Sequence, residues 1–117
     1  MKTSLLIASL LVFTGCAPWQ YYDANDPAAR YNSKPANYVI PILNRAEVSH
    51  TFREIGQVSA LGGTYATQRD MYKAIRAKAR AIGADALIDA HYSDNRLYPD
   101  LTATAIVYTK STLPKQP

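Results

Sequence analysis

One segment of the chain, residues 67–83, has the full pattern of an amphipathic helix. Thr67 begins a capping-box sequence, in which its hydroxyl accepts from backbone N–H groups and Asp70 lies near the positive end of the helix dipole. Four apolar residues then recur at spacings of four, four and three: Met71, Ile75, Ala79 and Ile82. Gly83 can adopt the left-handed backbone conformation that ends a helix. The segment therefore predicts one helix that buries a single face.

Three further segments have the composition of β-strands. Phe52–Leu61 precedes the helix, and Ala86–Tyr92 and Thr102–Thr109 follow it. Tyr38–Leu43 is apolar but contains Pro41, so it adds either an N-terminal edge strand or an extended lead-in. A chain of 117 residues holds one small domain with appendages. The order predicts an α+β fold, a small β-α-β-β sandwich with one amphipathic helix packed on an antiparallel sheet.

Two of these strands carry more detailed predictions. Ile55 and Val58 are three residues apart, and a β-bulge at Gly56 would return them to the same side of the sheet. In the strand after the helix, simple alternation divides the side chains between two faces. One face is predicted to hold Ala86, Ile88, Ala90 and Tyr92, and the other Leu87, Asp89 and His91.

The N-terminus predicts export and lipidation. Leu5–Phe13 is apolar and follows a lysine, and it is shorter than the roughly 20 residues of a transmembrane helix. Thr14-Gly15-Cys16 resembles the bacterial lipobox, although Phe13 stands where leucine is usual. The resemblance implies transfer of a diacylglyceryl group to the Cys16 sulfur and cleavage before that residue. The alternative is an inert thiol in an ordinary secretory signal, and a disulfide within the chain is excluded because there is no second cysteine.

The residue after the predicted lipid site suggests which membrane is reached. In bacterial lipoproteins an aspartate there usually retains the protein in the inner membrane, and this chain has Ala17. We therefore expect an outer-membrane lipoprotein whose domain faces the periplasm. This prediction divides the chain into a signal peptide (1–15), a lipidated cysteine and flexible tether (16–37), a periplasmic α+β domain (38–110) and a frayed tail (111–117).

The predicted tether is rich in proline, asparagine and aspartate and has no periodic apolar pattern. About 22 residues of this kind would span roughly 75 Å when stretched and about 25 Å as a relaxed coil. Trp19, Tyr21 and Tyr22 lie close to the predicted lipid. They either enter the headgroup region, which amphipathic aromatic side chains favour, or pack on the domain.

Two stretches, FREIGQVSA and AIRAKARAIGADALIDAHY, resemble the YbjQ-like superfamily, which includes the RcsF-like domains of outer-membrane lipoproteins that sense envelope stress. The resemblance covers about half of the chain. It implies a β-α-β-β unit, a lipoprotein with a proline-bearing tether, and assembly into homo-oligomeric rings in some members. The RcsF-like domains are locked by disulfides, which this chain cannot form, so a sensing role that depends on them does not carry over. Asp85, in the shared Gly-Ala-Asp-Ala sequence, is interpreted as a turn or capping acceptor.

The helix carries a second stripe, opposite its apolar face. It consists of four cations at steps of four, three and four: Arg69, Lys73, Arg76 and Arg80. Like charges at this spacing repel, so the stripe does not strengthen the helix. It predicts either a docking face for an anionic envelope polymer or an acidic partner protein, or a solvated basic surface.

Asp89 and His91 are the candidate metal ligands, because two residues on one strand face could reach the same ion, with His50 as a distant third. Two histidines without clustered cysteines are a weak metal signature. The neighbours Ser49 and His50 make poor geometry for a nucleophile and its base, and the chain has no phosphate-binding loop. We therefore expect no catalytic residues and no cofactor.

The net charge of +4 is too small to indicate a nucleic-acid partner. Together, these features predict a non-enzymatic outer-membrane lipoprotein whose small domain binds an envelope protein or polymer, in stress sensing or in assembly. The alternative is a ligand- or metal-binding module that works as an oligomer.

Overall fold

The computed structural model of the chain describes residues 18–63, 65–94 and 98–109. The predicted signal peptide, Cys16 and the predicted tail at 111–117 lie outside these residues. The described part forms β1 (Trp19–Ala24), β2 (Ile42–Leu43), β3 (Phe52–Leu61), α1 (Gln68–Ile82), β4 (Ala86–Ser93) and β5 (Asp100–Tyr108), with a single 3-10 turn at Arg45–Glu47.

The strands form one sheet in the order β1-β3-β5-β4-β2, and α1 packs on one of its faces. The α+β class and the order β3-α1-β4-β5 confirm the predicted β-α-β-β unit. The predicted antiparallel pairing is confirmed for β1, β3, β4 and β5, and the edge strand β2 departs from it. Within Tyr38–Leu43, only Ile42 and Leu43 form a strand, which lies at the edge of the sheet and runs parallel to β4.

Both ends of α1 are formed as the sequence predicts. The Thr67 hydroxyl accepts from the backbone N–H of Asp70 at 3.1 Å, and the backbone N–H of Thr67 donates to the Asp70 carboxylate at 3.0 Å. These bonds lower the pKa of Asp70, with Lys73 and Arg69 as weaker causes. At the other end Gly83 has φ 86°, a left-handed conformation that requires glycine there.

Most of the core lies between α1 and the sheet. Met71, Ile75 and Ala79 are fully buried there, so the predicted apolar stripe is confirmed, with Ile82 half-buried beside it. A smaller cluster lies on the opposite face of the sheet. It consists of Ala86, Ile88 and Ile106, bordered by Leu43, Val48, Phe52 and Tyr108.

The bulge in β3 is confirmed. The pairing of β3 with β5 shifts by one residue between Glu54 and Gly56, and Ile55 and Val58 both enter the core beneath α1. Gly56 is required because β1 approaches closely. A Cβ atom there would lie 2.5 Å from the carbonyl oxygen of Asp23 and 2.8 Å from the ring of Tyr22.

A second bulge, in β4, was not predicted. The pairing of β4 with β5 shifts between Ile88 and His91, and Asp89 adopts a left-handed φ of 55°. The predicted alternation is therefore wrong beyond Ile88. Leu87, Ala90 and Tyr92 belong to the cluster under α1, whereas Ala86 and Ile88 belong to the cluster on the other face.

The predicted flexible tether contains the first strand of the sheet. Trp19–Ala24 pairs along its whole length with β3, from Trp19 opposite Leu61 to Ala24 opposite Gly56. Tyr22 packs against the main core, and its hydroxyl donates to the carbonyl of Ile55 at 3.1 Å. The prediction of a tether over 16–37 is therefore wrong for this strand, and the sheet begins upstream of residue 38.

The chain between β1 and β2 also lies against the domain. The backbone N–H of Lys34 donates to the carbonyl of Arg80 at 2.8 Å, and the Tyr38 hydroxyl donates to the carbonyl of Asp85 at 2.8 Å. Ile40 is fully buried in the main core. This segment therefore covers the C-terminal end of α1.

Candidate functional site

An open cleft of about 400 Å³ lies beside the C-terminal end of α1. It is formed where the first residues of β3 and the last residues of β5 meet the segment that follows β1. Its lining residues are Tyr31, Asn32, Lys34, Arg53, Gly83, Asp85, Val107, Tyr108 and Thr109. We call it the Arg53 cleft, and its lining is mainly polar.

Asp85 holds one wall of the Arg53 cleft in place. Its carboxylate accepts from the backbone N–H of Tyr108 at 2.7 Å and forms an ion pair with the Lys34 ammonium at 2.6 Å. Both side chains of this ion pair are largely buried. Asp85 thus accepts a backbone N–H as an acceptor should, but from β5 and not within a turn or helix cap as predicted, and its charge compensates that of Lys34.

After the Lys34–Asp85 ion pair, the remaining charged side chain in the cleft lining is that of Arg53. Its side chain is exposed, and among the described residues it forms no ion pair and no hydrogen bond. Since Lys34 and Asp85 compensate each other, the lining of the Arg53 cleft has one net positive charge. A guanidinium whose N–H donors are not used by these residues can form two parallel hydrogen bonds to a carboxylate or phosphate.

Tyr108 also lines the cleft, and its backbone N–H is the donor that Asp85 accepts. Burial raises the pKa of Tyr108, and the neighbouring Tyr38 and Asp85 raise it further. The phenol therefore keeps its proton at physiological pH. The imidazole of His50 stacks on its ring, with the centroids 4.3 Å apart, so His50 contacts this aromatic ring.

The four residues of the predicted basic stripe on α1 fall into two pairs with different surroundings. Arg76 donates to the carbonyl of Ile40 at 3.1 Å and Arg80 donates to the carbonyl of Tyr38 at 3.4 Å, so these two side chains hold the segment before β2. Only Arg69 and Lys73 are exposed. Half of the stripe therefore bonds to the domain itself, and binding of a partner by the stripe stays a prediction.

Asp89, one of the two candidate metal ligands, bonds to an arginine. The Asp89 carboxylate accepts from Arg45 at 2.6 Å, and Arg45 also donates to Glu54 at 2.8 Å. These hydrogen bonds raise the pKa of Arg45, that to Glu54 most strongly. Within residues 18–63, 65–94 and 98–109, no three His, Cys, Asp or Glu side chains form a group that could hold a metal ion. Asp89 and His91 thus lack a third ligand there.

Sequence reasoning missed Arg53 and Lys34. They lie 19 residues apart and come together only because the segment after β1 folds back over the end of α1. Arg53 lies in the quoted stretch FREIGQVSA, but that resemblance assigns it no role, and Lys34 lies outside both quoted stretches. The one available signal was the strand pattern of residues 52–61, which places Arg53 at the beginning of a strand.

Comparisons with models of protein families, with curated proteins and with solved structures find no match to this chain. The resemblance to the RcsF-like lipoproteins therefore stays a prediction that rests on the two quoted stretches. In the described part of the chain, no helix combines the length and the apolar character that crossing a bilayer requires.

Proposed function

We propose that this protein is a non-enzymatic, lipid-anchored binding module of the bacterial outer membrane, and that it holds an anionic group of an envelope protein or polymer in the Arg53 cleft. The observation that carries this proposal is the guanidinium of Arg53, which has no ion pair or hydrogen bond within the described residues and lines a polar cleft of about 400 Å³. Surface arginines without an acidic neighbour are ordinary, but one that lines a concave polar site is a ready receptor for a carboxylate or phosphate.

The position of the cleft in the fold supports a role in binding. Arg53 and Leu61 lie eight residues apart along β3, which corresponds to roughly 26 Å at about 3.3 Å per residue. Leu61 is paired with Trp19, the third residue after Cys16. If Cys16 carries the lipid, the Arg53 cleft lies at the end of the sheet that is far from the anchor and can meet a partner in the periplasm.

The chemistry of the cleft favours a small anionic group within a larger partner. Arg53 supplies the charge, and Asn32, which is exposed in the same lining, offers a neutral amide for hydrogen bonding. The Lys34–Asp85 ion pair keeps the wall rigid without adding net charge. Affinity is expected to fall with added salt, because a partly exposed ion pair is screened.

Site-specific photocrosslinking in living cells tests the cleft. A photoreactive amino acid at Asn32, which is exposed in the cleft lining, should capture the partner, and Arg53→Glu should abolish the adduct. Sensitivity of the adduct to protease or to a glycan hydrolase shows whether the partner is a protein or a polymer. Arg69→Glu is the matched control, since it reverses an exposed cation on the helix and should leave the adduct intact.

Two results would contradict the assignment of the cleft. One is an adduct that persists in Arg53→Glu, and the other is an adduct that disappears in Arg69→Glu alone. Because Arg53 has no partner to lose among the described residues, Arg53→Glu should keep the circular dichroism spectrum and Tm of the wild type. If Arg53→Glu keeps the fold, loss of the adduct in this variant reflects loss of binding and not unfolding.

The anchor is tested separately. Mass spectrometry of the protein purified from membranes should show an acylated amino terminus at Cys16, and Cys16→Ser should move the protein to the soluble fraction. An unmodified terminus in membrane-derived protein would contradict the anchor and would leave the chemistry of the cleft unaffected.

A further inference from the structure

A cluster of apolar side chains is exposed at the end of the sheet opposite the Arg53 cleft. It consists of Trp19, Tyr21, Leu61 and Tyr98, which we call the aromatic patch. Trp19 is 70% exposed and Tyr98 is 54% exposed, and the four side chains, with Gly62 and Gly63, line a shallow apolar groove of about 260 Å³. Isolated exposed aromatic residues are common, but four large apolar side chains on one surface indicate a contact.

The alternation of β1 explains why these side chains are exposed. Tyr22 points to the core beneath α1, so its neighbour Tyr21 and the next residue on that side, Trp19, point to the opposite face. The rings of Trp19 and Tyr21 lie 6.5 Å apart. Leu61 is directly across from Trp19 on β3, and within the described residues nothing covers this end of that face.

The length of chain between the aromatic patch and the lipid site determines what can cover it. Cys16 and Trp19 are three residues apart, so their Cα atoms are separated by at most about 11 Å. A lipid on Cys16 would therefore bring Trp19 to the depth of the headgroups. Tryptophan and tyrosine are the side chains that this region of a bilayer favours, because the ring is apolar and the N–H or O–H can bond to water.

We propose that the aromatic patch docks on the surface of the bilayer that holds the Cys16 lipid. This inference rests on the proposed lipid anchor. Docking fixes the orientation of the sheet, with the patch in the headgroup layer and the Arg53 cleft pointing away from the membrane.

The chain supplies its own probe, because Trp19 is its only tryptophan. The full lipidated protein is reconstituted into phospholipid vesicles, with and without phospholipids that are brominated near the headgroup end of their acyl chains. We expect a blue-shifted Trp19 emission, strong quenching by the brominated lipids and weak quenching by aqueous acrylamide. Leu61→Ser combined with Tyr98→Ser should reduce the quenching by brominated lipids, whereas Val39→Ser should not.

Val39 is the matched control because it is 77% exposed but lies next to Tyr38, which bonds to Asp85 in the wall of the distant cleft. Moving the probe there, with Trp19→Tyr and Val39→Trp, should give emission that acrylamide quenches and brominated lipids do not. Equal quenching by brominated lipids at both positions would overturn the proposed orientation.

The outcomes distinguish this inference from the anchor itself. If lipidated protein remains on the vesicles while Trp19 stays open to acrylamide and insensitive to brominated lipids, docking is refuted and the anchor stands. If Trp19 is shielded from both quenchers, the edge strand β1 pairs with a second copy, which also refutes docking. Protein that is unmodified at Cys16 and free of the vesicles would overturn both proposals.

Discussion

Tyr22 offers a sharp test of whether residues 19–24 belong to the domain. Its ring packs against the main core, and its hydroxyl donates to the carbonyl of Ile55 at 3.1 Å. Burial raises the pKa of Tyr22, with a smaller contribution from Tyr31. Tyr21, the preceding residue, is 47% exposed on the other side of β1. Alanine substitutions at these neighbours should therefore have very different effects on stability.

The expected magnitude follows from the burial of the ring and from its hydrogen bond. Removing a fully buried aromatic side chain costs about 3–5 kcal/mol, so the half-buried ring of Tyr22 is expected to contribute about 2 kcal/mol. Losing the hydrogen bond adds about 1 kcal/mol. For a domain of this size, a total of about 3 kcal/mol lowers Tm by roughly 10–25 °C. Tyr21→Ala should cost about 1 kcal/mol or less.

Urea unfolding, followed by circular dichroism on a chain shortened to begin at Ala17, without the predicted signal peptide and lipid site, measures the difference. Tyr22→Phe serves as an intermediate, since it removes the hydroxyl and keeps the ring, and should lose about 1 kcal/mol. If Tyr22→Ala and Tyr21→Ala unfold at the same midpoint as the unsubstituted chain, the strand contributes nothing to stability. Residues 19–24 would then behave as the tether that composition suggests, and the sheet order would be wrong at its edge.

Three further predictions concern the backbone and the cap. Gly56→Ala should destabilise the domain by about 1–3 kcal/mol, because the new Cβ would collide with the carbonyl of Asp23, and thermal unfolding measures the loss. Asp89→Gly should fold with little loss because glycine accepts its φ of 55°, whereas Asp89→Val should lower Tm clearly. Asp70 has a lowered pKa in the fold, so its stabilising effect is complete above the pKa of the unfolded state, near 3.9, and is lost as pH falls through the folded value. Urea titrations between pH 2 and pH 6 should show that decline, and Asp70→Asn should flatten it.

The helix could be predicted from the sequence because everything that forms it is local. The Thr67 cap, the apolar spacing and the Gly83 stop lie within one segment, and each appears in the structure. The bulge in β3 was also predictable, since Ile55 and Val58 could share a face only if the strand were irregular there. Local patterns of this kind need no knowledge of distant contacts.

The bulge in β4 and the strand β1 were harder to predict, because the sequence pattern indicates them only weakly. A left-handed Asp89 keeps a polar residue at an exposed position, so the sequence still alternates as if the strand were regular. Strand β1 places only Tyr22 firmly in the core, and its pairing with β3 joins residues more than 30 positions apart. Composition favoured a tether because prolines and polar residues follow it, and an edge strand needs few apolar residues.

The Arg53 cleft depends on tertiary structure throughout. The Lys34–Asp85 ion pair joins residues that are far apart in sequence, and it forms because the segment after β1 crosses the end of α1. In the same way, the sequence revealed the spacing of the basic stripe but not the contacts of two of its members. Arg76 and Arg80 bond to carbonyl groups of a segment whose path the sequence did not reveal.

The strand β1 changes what an anchored domain can reach. A tether of about 22 residues would let the domain explore up to roughly 75 Å from the membrane. With Trp19 already in the sheet, the free connection to Cys16 shortens to about 11 Å. The Arg53 cleft, roughly 26 Å farther along β3, would then lie within about 40 Å of the bilayer. If Cys16 carries the lipid and the Arg53 cleft binds a partner, that partner must therefore come within this distance of the membrane unless β1 detaches.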